Sequence, residues 1–222
     1  MNGKKTNWVM PLSVMTLGIS VNAVASESPI INWSSDLTDT FSEFSGSDGY
    51  QDLADSEFAA KNYAEVVMSH SSNATVVISQ VNHSYTTNKA KVLQSNSDSS
   101  TALIQQQGGG NLAVIEQGNQ FAFNQSNYAE IEQLGYGHHG YISQSGNSNT
   151  AILKQCEISL SDGPSCSGYS NDSSELSIQQ LGDNNVAALY DSGYSSYGIT
   201  QSGNGHEIIV ISGMSRGIYI RQ

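Results

Sequence analysis

The sequence predicts an all-β fold: a β-solenoid of stacked strand-turn-strand units, each coil using about 22 residues. Three observations predict it. The pattern small, x, aliphatic, x, Gln recurs from residue 64 onward. Copies of it are joined by a Gly-containing connector of fixed form. The composition also leaves little for a conventional core, with 37% hydrophobic and 13% charged residues among 222. A chain of this kind is disordered, aggregates through Gln and Asn, or folds as a repeat with polar ladders inside. A fixed step with matched side-chain parity separates the third class from the first two.

The copies run in order along the chain. The pattern stands at Ala90–Gln94, Ala102–Gln106, Ala113–Gln117, Ala129–Gln133, Gly140–Gln144 and Ala151–Gln155. It resumes at Leu176–Gln180, Ala187–Asp191, Tyr197–Gln201, Ile208–Ser212 and Ile218–Gln222. Three connectors share the form Q-x-G-x-x-N-x-A: Gln106 to Ala113, Gln144 to Ala151 and Gln180 to Ala187. Two more place His138 and His206 in the Asn slot.

In N-x-A-x-I-x-Q the named residues are two apart, so in a strand all four point to one face. From Gln to the next Asn the spacing is five, an odd number. A Gly-containing turn absorbs the parity change and lets the next strand present its own set inward. Two strands and two turns return the chain to its start, one strand spacing (~4.8 Å) further along. The predicted inward aliphatic residues are Val92, Ile104, Ile115, Ile131, Ile142, Leu153, Ile178, Leu189, Ile199, Val210 and Ile220. The predicted amide ladder uses Gln80, Gln94, Gln106, Asn111, Gln117, Gln133, Gln144, Asn149, Gln155, Gln180, Asn185, Gln201 and Gln222. A buried amide is costly unless bonded. Stacking Gln on Gln supplies the bond along the stack.

The N-terminal quarter is different material. Lys4 and Lys5, an apolar stretch from Trp8 to Val24 and the small-x-small ending Ala23-Val24-Ala25 read as a secretory signal, cut between Ala25 and Ser26. Pro11, Ser20 and Asn22 make that stretch a poor membrane span. Residues 26–63 read as an acidic, mostly disordered arm. It has eight carboxylates between Glu27 and Glu57 and no Lys or Arg before Lys61. Residues 64–222 are the repeat domain, with an insertion at 156–174.

Several functions are excluded or disfavoured. Eight Lys and Arg against 20 Asp and Glu give a net charge of -12, which opposes nucleic-acid binding. No His-Glu-x-x-His motif occurs, and no catalytic residue is assigned. No metal or cofactor site and no small-molecule substrate are assigned either. His138 and His139 lie in a turn, where His138 replaces the Asn. Glu116, Glu130 and Glu132 occupy outward slots and read as a solvated face. Tyr136, Tyr141, Tyr190, Tyr194, Tyr197 and Tyr219 are expected in turns or outward slots.

The repeat A-x-I-x-Q-x-G-x-x-N-x-A-x-I-x-Q resembles that of the curlin family, the subunits of bacterial curli amyloid fibres. The resemblance covers residues 64–222. It implies an extracellular functional amyloid of a Gram-negative bacterium, exported through the periplasm and a dedicated outer-membrane pore to the cell surface. The implied partners are a major curlin subunit, further copies of the chain, and the secretion and assembly factors. Asp52-Leu53-Ala54-Asp55-Ser56-Glu57-Phe58 resembles a segment following the signal in the family's minor, nucleating subunit. The cationic ending Gly217 to Gln222 resembles that subunit's last repeat. The alternatives are the major fibre subunit and, in a different class, a monomeric β-solenoid binding module.

The sequence departs from a regular repeat in three places. Gln117 to Gln133 spans 16 residues, which implies a shortened or distorted coil. Asp191 and Ser212 stand in Gln slots and are expected to interrupt one ladder. Cys156 and Cys166 bracket the start of the insertion, and in an exported protein they are expected to form a disulfide.

Overall fold

A computed structural model describes residues 61–118, 124–161, 163–213 and 218–222. The signal with its Ala25–Ser26 junction, the arm up to residue 60 and the Asp52–Phe58 segment lie outside the described residues.

The strands alternate between two parallel sheets. The first sheet, A, is built from β1 (Asn62–Ser69), β3 (Asn88–Ser95), β6 (Leu112–Gly118), β9 (His139–Ser145), β13 (Glu175–Leu181), β15 (Ser196–Ser202) and β17 (Ile218–Arg221), in that order. The second, B, is built from β2 (Thr75–Asn82), β5 (Thr101–Gly109), β8 (Tyr128–Tyr136), β10 (Thr150–Gln155), β14 (Val186–Asp191) and β16 (Glu207–Ser212). Every pairing within these two sheets is parallel. The chain visits A, then B, then the next level of A, which is the path of a solenoid. Small strands lie outside these sheets: β4 (Ser97–Asp98) pairs with β7 (Asn124–Gln125), and β11 (Glu157–Ser159) pairs with β12 (Ser165–Gly168).

Register follows the repeat. Val92 pairs with Ile115, Ile115 with Ile142, Ile142 with Ile178 and Ile178 with Ile199. In sheet B, Ile104 pairs with Ile131, Leu153 with Ile131 and Leu153 with Leu189. These residues, with Ala90, Ala102, Ala113, Ala129, Ala151 and Ala187, form one buried cluster between the sheets. Val210 packs against it partly buried, and Ile220 is half-buried. One β-branched or Leu side chain per strand opposite small residues gives a thin, dry layer. The amides at its two edges close it.

The connector glycine is required by backbone proximity. Gly146 and Gly182 have φ of 116° and 115°. A Cβ on Gly146 would collide with the Gly182 carbonyl, and one on Gly182 with the Gly203 carbonyl. Coil stacked directly on coil leaves no room there for a side chain.

Two expectations are corrected. The coil spanning Gln117 to Gln133 is not shortened. Gln106 and Gln133 are 27 residues apart and remain in register, as do Gln117 and Gln144, also 27 apart. The extra length is taken up at the turn, outside the ladder, where β7 pairs with β4 of the coil before. Tyr197 is neither outward nor in a turn. It stands in the small-residue slot of β15, points into the core and is 1% exposed.

The insertion also leaves the ladder intact. Gln144 and Gln180 are 36 residues apart yet remain partners. Cys156 follows β10 directly and is disulfide-bonded to Cys166, across the β11–β12 hairpin.

Candidate functional site: the stacked amide columns

Each sheet carries one column of Gln at the C-terminal ends of its strands. In sheet A the Gln94 Nε2 donates to Gln117 Oε1 at 2.7 Å, and Gln117, Gln144 and Gln180 each donate to the next Gln at 2.9 Å. Gln201 donates to Gln222 at 3.4 Å. In sheet B, Gln80, Gln106 and Gln133 donate in turn at 2.7, 2.8 and 2.8 Å, ending on Gln155.

The second Nε2 hydrogen fixes which way each amide faces. It goes to a carbonyl at the start of a strand in the facing sheet. Gln117 reaches Thr101, Gln144 reaches Tyr128, Gln180 reaches Thr150 and Gln106 reaches Lys89, at 2.9 to 3.0 Å. Only nitrogen can donate to a carbonyl, so oxygen and nitrogen are not interchangeable. Every side-chain bond of a column therefore points the same way, from the earlier coil to the later. Aligned amide dipoles reinforce one another in a dry interior.

The asparagines behave differently from the expected ladder. Asn111, Asn149 and Asn185 are fully buried, but they do not bond to one another's side chains. Each Oδ1 accepts a backbone N–H of the next coil: Asn111 from His138, Asn149 from Asn185 and Asn185 from His206. Each Nδ2 donates to a glycine carbonyl of the next coil, Gly135, Gly182 or Gly203. Gln thus links side chain to side chain, whereas Asn links side chain to the neighbouring backbone. Asn is one methylene shorter and stands beside the turn, so the backbone is what it can reach.

Asn88 and Asn127 belong to the same set and are likewise buried. Asn127 accepts from the Asn149 N–H at 2.9 Å and donates to Gly146 O at 2.7 Å. Their motifs, Asn88-x-Ala90-x-Val92-x-Gln94 and Asn127-x-Ala129-x-Ile131-x-Gln133, carry the signal that identifies them. Met68 takes the Gln slot of β1 and pairs with Gln94, whose Oε1 has no partner as a result. A thioether has no N–H to give.

The predicted interruption lies in sheet B. Gln155 pairs with Asp191, and Asp191 with Ser212. Gln155 ends its column by donating to Ser174 O and Oγ at 2.7 and 3.0 Å. Asp191 is 1% exposed, and neither carboxyl oxygen has a partner at hydrogen-bond distance. Burial pushes its pKa up to about 6, against the nearby Ser195, Ser174 and Ser212 hydroxyls and the Gly193 N–H, which favour the charged form. The Tyr197 hydroxyl meets Ser212 Oγ at 2.5 Å.

His138 and His139 do not converge. His138 is buried in its Asn slot with Nδ1 3.3 Å from Ser174 Oγ, and burial lowers its pKa to about 4. His139 faces Glu175, with Nδ1 3.7 Å from the carboxylate. Outward Glu130 and Glu132 are bridged by Lys154 at 3.2 and 2.8 Å.

Residues 125–155, from within β7 to the end of β10, match the family model described as the curlin associated repeat. This segment is similar to the curlin associated repeat. No curated protein and no solved structure matches the chain. Chemically, the columns supply hydrogen bonds whose only direction of continuation is along the stack.

Proposed function

We propose that this chain is a secreted subunit of curli-type amyloid fibres and that it acts as the minor subunit, nucleating the major curlin at the cell surface in biofilm formation and adhesion. In this reading residues 1–25 are the export signal and 26–63 the arm. The observation that carries it is the pair of columns. Parallel sheets and one-way amide bonds make each coil a template for the next.

Among the described strands, β1, β2, β16 and β17 each pair on one side only. A strand edge of this kind accepts another strand. An incoming curlin coil with Gln in register gains backbone and amide bonds together. Nucleation rather than bulk growth is supported by the irregular coil lengths, 21 to 36 residues between column partners, and by the broken column in sheet B. The Asp52–Phe58 and Gly217–Gln222 resemblances favour the same role.

Seeded assembly tests it. Substoichiometric amounts of this chain should shorten the lag of a major curlin, followed by thioflavin fluorescence. An unchanged lag sinks nucleation. Failure of the chain itself to form cross-β fibres sinks the amyloid reading as a whole.

A further inference from the structure

The two ends of the described solenoid are not alike. Sheet A holds seven strands and sheet B six. At the start, β1 and β2 make a full coil. At the finish, β17 adds a level to sheet A, and no described strand follows β16 in sheet B. Successive strands of a coil run in opposite directions, because a turn separates them. A half-turn about the stacking axis therefore exchanges the two sheets while keeping strand direction and inward face.

The side chains at the ends sort in the same way. Gln222 is the last amide of the A column, and its Nε2 has no acceptor among the described residues. Gln80 is the first amide of the B column, and no described group donates to its Oε1. The other two end positions carry no amide. Met68 starts the A column and Ser212, whose hydroxyl meets Tyr197, finishes the B column. The side chains that pack against the core while only partly buried are Val66 and Met68 on β1 and Ile208 and Val210 on β16. On the outer face of the same two strands Val67 is 41% exposed and Ile211 46%.

We infer that a second copy of this chain stacks its β1–β2 end on the β16–β17 end, after a half-turn that runs sheet A of one copy into sheet B of the next. Strand β1 then pairs with β16 of the preceding copy, and β2 with β17. The register of the repeat, continued across the joint, sets Gln222 against Gln80, Ser212 against Met68, Val210 against Val66 and Ile211 against Val67. The unused donor meets the unused acceptor, in the direction that every amide bond of the columns takes. The two positions without an amide meet each other. The apolar groups that β1 and β16 leave uncovered cover one another. Stacking without the half-turn fits worse at each point. It sets β1 on β17, opposes Gln222 to Met68 and leaves a strand-wide gap in sheet B between β16 and β2. An amide without a partner and two bare strand edges are both unfavourable. A head-to-tail joint of this kind does not close, so its repetition gives a filament with a two-fold screw. The inference rests on the reading of the chain as a fibre subunit and not on nucleation.

Cross-linking in self-assembled fibres of the whole chain tests it. The native cysteines are bonded to each other and do not compete. Neighbouring strands stand ~4.8 Å apart, within the Cα separation of roughly 4.4–6.8 Å that a disulfide spans. In mixed fibres of Val67→Cys and Ile211→Cys chains, mild oxidation should therefore give dimers at least about 10-fold faster than in mixed fibres of Val67→Cys and Arg221→Cys chains. Gln222→Leu should slow self-elongation about five-fold, the effect of one lost neutral hydrogen bond, while Met68→Gln should leave it within about two-fold. Equal or faster coupling between 67 and 221 overturns the half-turn. So does faster elongation in Met68→Gln, or unchanged elongation in Gln222→Leu. Those outcomes leave the fibre reading standing, whereas absence of cross-β fibres from the unmodified chain removes both. If a cysteine variant does not assemble, the two elongation rates decide.

Discussion

Each coil of this solenoid turns two corners, and the same repeat builds both. At the corner where sheet A strands end, Gln follows Gln from Gln94 to Gln222. At the corner where sheet B strands end, the amides stop at Gln155, and Asp191 and Ser212 follow. Other residues change there in step. The Asn slots opposite become Ser174 and Ser195, and the small slots become Leu176 and Tyr197. The backbone register does not change. Parallel backbone pairing and the aliphatic layer are thus sufficient to hold a coil, and the amide column is a separable addition. What the column adds is directional polar satisfaction that can run on beyond a single coil.

The sharpest way to break the comparison is to remove one amide from the intact corner. In Gln144→Leu the volume is nearly kept. The Gln117 donor, the Tyr128 carbonyl and the Gln180 Oε1 all lose their partner in a dry site. Each buried orphan costs roughly 1–3 kcal/mol, so a loss of about 4 kcal/mol is expected in urea unfolding of the monomer. The same replacement at the broken corner, Asp191→Leu, removes a carboxyl that has no partner and should not destabilise at pH 7. Equal losses at the two sites would show that the corners do not differ energetically.

Much of this contrast was legible in the sequence, because period-2 parity and the odd Gln-to-Asn spacing force named residues inward. Asp191 and Ser212 broke the pattern visibly. What compensates for them was not legible. Tyr197 in a small-residue slot reads as an outward aromatic unless one knows that this slot faces the Gln slot of the other sheet. The structure supplies that knowledge at Gly140, where an added Cβ would meet Gln133 Nε2 at 3.1 Å and Gln155 Oε1 at 3.2 Å. The 16-residue step misled for a related reason. A longer step in the repeat does not say whether the extra residues enter the strand or the turn, and here they enter the turn.

The next effect is set by pH. Burial raises the Asp191 pKa from 3.8 to about 6, so the folded state favours the protonated carboxyl. The unfolded chain gives up that proton first as pH rises. Stability contributed by this group is therefore full below about pH 4, falls as pH rises from there through 6, and is flat above. The shift corresponds to at most about 3 kcal/mol. Asp191→Asn should abolish this slope and stabilise the fold at pH 7. It should leave the lower range nearly unchanged. Denaturation midpoints of both proteins between pH 4 and 8 check it. A wild-type midpoint that does not fall over this range would mean that the nearby hydroxyls solvate the carboxylate fully.

The smallest effect asks whether the broken corner has found a substitute for its amides. Asp191 and Ser212 are shorter than Gln, and the space is filled from the other side, by Leu176 and Tyr197, both almost fully buried. Tyr197 does more than fill. Its hydroxyl reaches Ser212 at 2.5 Å, so it links the two sheets at the level where Gln would. Tyr197→Phe keeps the ring and deletes this bond. A loss of about 1 kcal/mol is expected, the net value of one neutral hydrogen bond. In a double-mutant cycle with Ser212→Ala the two changes should not add, since either removes the same contact. Full additivity would mean the ring alone matters and the corner is merely packed. Non-additivity would mean that a transverse bond between sheets stands in for the longitudinal one between coils. A transverse bond is complete within one coil and offers nothing to the next, so Ser212→Gln together with Tyr197→Ala should restore a ladder donor at that level and speed seeded elongation relative to Tyr197→Ala alone.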